Sequence, residues 1–149
     1  MHMFNRILLA ADDSEASEPA IQQAFSLVQK YAQTLVIVTV VDIYGAYYAT
    51  PESIEFIQKT GQAFLDSLVT RATAQHILAE TSLLETDISG KHISEILVAE
   101  AKRQRANIMV LGSHDWHGLR QFLSGGIAQA VCRLAPCSVL IARAENQGS

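Results

Sequence analysis

The stretch GSHDWHGLRQFLSGGIAQA, residues 112–130, sets glycines where a chain can aim backbone amides at an anion. Gly125 and Gly126 stand at the start of a helical pattern, so free amides and the positive helix end would face one point. Asp115 opposes that chemistry. A carboxylate at about 5 Å from a phosphate costs about 3 kcal/mol per unit charge at an effective dielectric near 20. The sign reverses if Asp115 faces solvent or helps hold Mg²⁺. Arg120 is the cation of this loop, and it either offsets Asp115, meets the anion or is solvated at the surface. Ser113 and Ser124 are close enough in sequence to offer a hydroxyl.

Other chemistry is thinner. His114 and His117 flank Asp115 and Trp116, but His-x-x-His without a companion Cys or His cluster falls short of a dedicated metal site. Trp116 reads as a loop anchor or a partner-facing aromatic. Ser14, after Asp12 and Asp13, has no G-x-S-x-G context and reads as a helix cap. No G-x-x-x-x-G-K-[ST] loop occurs, and no nucleophile stands beside a general base, so dedicated catalysis is not expected. Cys132 and Cys137, five apart, fit neither a redox pair nor a zinc template and are expected in the core.

The elements that position these loops alternate in period. NRILLAA (residues 5–11), TLVIVTVV (34–41), NIMVLG (107–112) and SVLIAR (138–143) are short apolar runs, the pattern of buried parallel strands. LLETDIS (83–89) is a weaker one. Helical stripes lie between them: Ile21, Ala24, Phe25, Val28 and Tyr31, with Pro19 in the first turn; then Ile57, Phe64, Leu65, Leu68, Val69 and Ala72, from about residue 53 to the high 70s. Ile93, Ile96, Leu97 and Ala101 form a third stripe, and Ile127, Val131 and Leu134 a fourth, stopped by Pro136. Residues 43–52 are the one long irregular stretch, whose Tyr44, Tyr47 and Tyr48 form either a flap, a partner surface or self-packing of the loop. The alternation predicts a doubly wound parallel sheet, whose ligands bind beyond the carboxyl ends of the strands. The tips there are Ala11-Asp12 and Gly112-Ser113.

The 149 residues suit one domain, expected over 4–144, with 49% hydrophobic and 17% charged residues. A net charge of -4 without a Lys/Arg run argues against nucleic acid as partner. No apolar run reaches the roughly 18 residues of a membrane span, and the start lacks signal-peptide features, so a cytoplasmic location is expected.

ILLAADDSEAS, VTVVD and VLGSHDWHGLRQFLSGGIAQAVCRLAPCSVLIAR, in that order and spacing, resemble the universal stress protein family nearly end to end, from Phe4 to Ala144. The resemblance implies a five-stranded parallel sheet of order 3-2-1-4-5 and a homodimer. The edge strand bounded by Ser138 and Arg143, apolar and free of proline, suits pairing of two copies. It also implies a stress-response role. One branch of the family binds ATP through Gly-x-x-Gly-(nine residues)-Gly-Ser/Thr, and another lacks that pattern and acts through protein contacts.

Here Gly112 and Gly125 match the pattern, while Asp115 stands for its second glycine and Gly126 for its hydroxyl residue; Gly118 matches a glycine common within the loop. Loss of one hydroxyl donor weakens binding by about tenfold. The match further carries Asp12 onto the acidic residue after the first strand, with Ala11 before it, Val40 onto the adenine-facing position, and Ile127 onto the residue after the hydroxyl. Asn107 replaces an aspartate usual at the start of the fourth strand. The implied site is therefore Ala11, Asp12, Val40, Gly112, Ser113, Asp115, Gly125, Gly126 and Ile127, with ATP or AMP and Mg²⁺ as ligands.

Overall fold

The structure is a computed structural model and describes residues 4–43, 50–114, 116 and 126–143. Five parallel strands form one sheet: β1 (Phe4–Ala10), β2 (Ala32–Val41), β3 (Ala79–Glu85), β4 (Ile108–Gly112) and β5 (Ser138–Ala142), in the order β3-β2-β1-β4-β5. Four helices connect them: α1 (Glu18–Tyr31), α2 (Pro51–Ala74), α3 (Ile93–Gln104) and α4 (Gly126–Leu134). Fold and strand order agree with the expectation: the apolar runs of β1, β2 and β4 are largely buried on both faces, while β5 lies half-covered at the sheet edge.

Two apolar layers result. On one face Ile7, Leu9, Leu35, Ile37 and Val110 pack with Phe25, Val28, Leu65 and Leu68. On the other Leu8, Val36, Val38, Met109 and Leu111 meet Leu97, Val98, Ile127 and Val131. Strand neighbours thus serve opposite layers, as the pleat requires.

Five expectations change. The third strand begins and ends four residues earlier than 83–89, because Ala79, Thr81 and Leu83 register against Leu35, Ile37 and Thr39 of β2. As an edge strand with no fully buried residue, β3 carries a pattern too polar to mark its limits. Helix α2 starts at Pro51, where Thr50 Oγ1 accepts from the Ser53 amide at 3.1 Å, and it stops at Ala74 rather than the high 70s. Tyr31 and Leu134, placed inward by spacing, are exposed at the last turns of α1 and α4. Cys132 is exposed rather than buried, and Cys137 is half-buried, packed against the rim of the second layer; burial raises the Cys137 thiol above its ordinary pKa, against a smaller lowering by a hydrogen bond with the Met109 backbone. Ser14 makes no capping hydrogen bond, and its hydroxyl goes elsewhere.

The seam between β1 and β4 has a side-chain clasp. Asn107 Oδ1 accepts from the amides of Asn5 at 2.7 Å and Arg6 at 2.9 Å, and the Asn107 amide donates to the Arg6 carbonyl at 2.9 Å. An amide oxygen here accepts as a carboxylate would, without its charge.

Candidate functional site

Strand order reverses between β1 and β4, and the crevice beyond their ends is where this fold takes ligands. The polypeptide leaves β1 through Ala11, fully buried, whose amide donates to the Val38 carbonyl at 3.0 Å and so carries the β1–β2 pairing one residue past the strand. Asp12 follows, 8% exposed. Its Oδ1 accepts from Ser14 Oγ at 2.6 Å and Ser17 Oγ at 2.7 Å, and its amide donates to Ser17 Oγ at 3.0 Å. The two serines therefore fix a buried carboxylate instead of capping helices, which a buried charge requires.

The second loop reaches the same carboxylate. His114 Nε2 lies 3.1 Å from Asp12 Oδ1, joining chain segments 102 residues apart. Gly112 makes this possible: a Cβ there would fall 2.6 Å from His114 Nδ1 and 3.3 Å from the Ala16 carbonyl oxygen. The first glycine of the loop is thus required by a neighbouring side chain, beside any ligand. Trp116 is 2% exposed within the layer of Val40, Leu97 and Ile127, which settles it as a loop anchor. Its Nε1 and His114 Nδ1 are buried without a hydrogen-bond partner among the described residues.

A cavity of about 340 Å³ opens between the ends of β1 and β2 and the first half of α2. Asp12, Asp13 and Asp42 line it together with Thr39, Val40, Val41, Phe56, Ile57, Thr60, Gly61 and Phe64. Its volume falls in the range of small-ligand pockets. Asp12 and Val40 thus line one space. Gly112, Ser113, Gly126 and Ile127 do not line it. Ser113 is exposed and donates its amide to the Ala142 carbonyl at 3.1 Å, and Ile127 is 1% exposed in the core. Gly126 opens α4 with φ +67°, the left-handed region that favours glycine.

Asp115, His117, Gly118, Arg120, Ser124, Gly125, Tyr44, Tyr47 and Tyr48 lie outside the described residues. Among the described residues no group of His, Cys, Asp and Glu could hold a metal ion, and no helix is long and apolar enough to cross a membrane.

Sequence reasoning missed the α2 wall. The signal was Gly61, a helix-interior glycine that costs about 1 kcal/mol against alanine and so needs a reason. The reason is contact: a Cβ at Gly61 would lie 2.7 Å from Val41 Cγ1 and 2.8 Å from Leu83 Cδ1.

Comparison with known proteins gives this arrangement a setting. Universal stress protein YxiE of Bacillus subtilis is 29% identical over 153 residues, covering 95% of this chain and all of that protein. Among solved structures, the hypothetical protein MJ0577 superposes with a TM-score of 0.77 at 18% identity, over 97% of this chain and 99% of that one. A universal stress protein in complex with cAMP gives 0.68 at 19% identity, over 95% and 98%. The protein from Archaeoglobus fulgidus in complex with dAMP gives 0.62 at 19%, over 95% and 99%. The profile of the universal stress protein family matches residues 3–143, and the chain belongs to that family.

Proposed function

We propose that this protein, a single domain over residues 4–144, is a cytoplasmic stress-response regulator that binds an adenine nucleotide, ATP or AMP with Mg²⁺, without dedicated catalysis. The cavity carries this reading, because it brings Asp12 and Val40, the residues of the adenine side, to one space of suitable size. Two relatives of the same fold are held with adenine nucleotides, cAMP and dAMP. The phosphates would meet the loop from Gly112 through Ser113, Asp115 and Gly125 to Gly126 and Ile127. Turnover, where any occurs, stays below about 1 s⁻¹, near the low end for enzymes. Two copies would pair through β5, an edge strand whose Val139, Leu140 and Ile141 are only partly covered.

A second reading is a nucleotide-independent dimer that acts through protein contacts. Its supporting observation is Asp12 Oδ1, which already accepts from Ser14 and Ser17 and meets His114. Calorimetric titration with Mg-ATP and AMP separates the two, run beside an Asp115→Gly, Gly126→Ser double variant. Binding by the natural chain supports the nucleotide reading. Silence from it, with binding in the variant, supports the interaction module. Serine at φ +67° costs the variant about 1–2 kcal/mol of stability, so its fold is checked by melting first.

A further inference from the structure

We infer that Phe56 stacks on the base of the bound nucleotide and makes the site select purine over pyrimidine nucleotides; this rests on the nucleotide reading above. Phe56 stands on the second turn of α2 and is 70% exposed. A single exposed aromatic needs no explanation by itself, but this one lines the cavity. Helical spacing takes it off the inward stripe of Gly61, Leu65 and Leu68, all buried, and onto the flank that it shares with Thr60. Phe64, two turns on, is partly buried against the core and is committed there. Phe56 has no such cover. Its exposure puts the ring at the mouth of a space whose strand wall is Val40 and Val41.

A phenyl ring has a flat face and no polar atom. It reads a base by the area of its π-face and leaves the hydrogen-bonding edge to other groups. A purine offers two fused rings to that face and a pyrimidine one, so the contact favours the purine. The aliphatic side of the cavity, from Val40 and Val41, suits the opposite face of a base, which is apolar in the same way. A base lying there would bury the ring that α2 leaves in water. Base–aromatic stacking is strong enough for its loss to lower affinity by about tenfold.

The test is calorimetric titration of the whole chain with AMP and CMP, for the parent and for Phe56→Ala, Phe56→Leu and Phe56→Tyr. The side chain is exposed, so all three variants should melt like the parent. The parent should bind AMP severalfold more tightly than CMP. Phe56→Ala and Phe56→Leu should each weaken AMP by about tenfold, while Phe56→Tyr, which keeps the flat ring, should change it by less than about twofold. CMP should lose less than AMP in Phe56→Ala, so the ratio narrows. Parental AMP affinity in Phe56→Ala or Phe56→Leu overturns the stacking and leaves the nucleotide site standing. Equal binding of AMP and CMP by the parent, or equal loss of both in Phe56→Ala, overturns the purine selection. No binding of AMP by the parent overturns the nucleotide reading and this inference with it.

Discussion

Gly112 is constrained from inside the molecule. His114 Nδ1 would lie 2.6 Å from a Cβ at that position, so alanine forces the imidazole off Asp12. Gly112→Ala should therefore cost about 1–3 kcal/mol, the scale of overpacking plus a disturbed buried hydrogen bond. His114→Ala alone should cost about 1–2 kcal/mol, because Asp12 Oδ1 keeps its two serine donors. The pair should be less than additive, since removing the ring also removes the close approach. Urea denaturation of both single variants and the double variant checks this, and strict additivity would show that the glycine serves something other than His114. Sequence pattern marked Gly112 and Asp12 as neighbours at the strand ends. It did not reveal that a histidine two residues on joins them, because a contact across 102 positions leaves no local period.

At the scale of elements, α2 is held close to the sheet by Gly61. Alanine there gains about 1 kcal/mol of helix propensity and meets Val41 Cγ1 and Leu83 Cδ1 at 2.7 and 2.8 Å. The strand valine is stiff, so overpacking of about 1–3 kcal/mol outweighs the gain. Gly61→Ala should lower stability by about 1 kcal/mol and weaken binding of the proposed nucleotide, AMP or ATP, severalfold, because Gly61 and Val41 both line the cavity. Thermal melting and titration of the same variant test the two halves together. The helices and four of the strands were legible because apolar residues recur at a fixed period in α1 through α4 and run continuously in β1, β2, β4 and β5. The limits of β3 were not, since its residues are half-covered at a sheet edge and its polar and apolar positions are mixed. The last-turn positions of Tyr31 and Leu134 show the same limit, for spacing gives a direction but not whether another element stands there.

For the whole molecule, Glu100 bears on acid stability. It is 6% exposed on α3, and its carboxylate accepts from Arg103 Nη2 at 2.5 Å, Arg103 Nε at 2.9 Å and Gln104 Nε2 at 2.8 Å. Burial alone would raise its pKa, but these bonds and one from Ser82 of β3 together hold it below the ordinary value of 4.5. A carboxyl whose folded value is depressed stabilises the fold above its unfolded value and loses that contribution as pH falls through the folded one. Stability should thus decline from about pH 4.5 downward, and Glu100→Gln should flatten that decline while costing about 1–2 kcal/mol at neutral pH. Denaturation curves taken across that range decide it; an unchanged acid slope in the variant would assign the decline to other carboxylates.

The seam clasped by Asn107 also orders events in time. Its bonds to Asn5 and Arg6 close loops of 102 and 101 positions, an entropic cost of about 4 kcal/mol by simple loop closure. The described residues of the cavity walls, by contrast, run from Asp12 to Phe64. A chain gathering itself meets the short loops first and the long ones last. The wall that would face a base is therefore built from early contacts. The histidine that ties the second loop to Asp12 belongs to the contacts of long sequence separation, so by loop closure it should come into place with the seam rather than with the cavity wall.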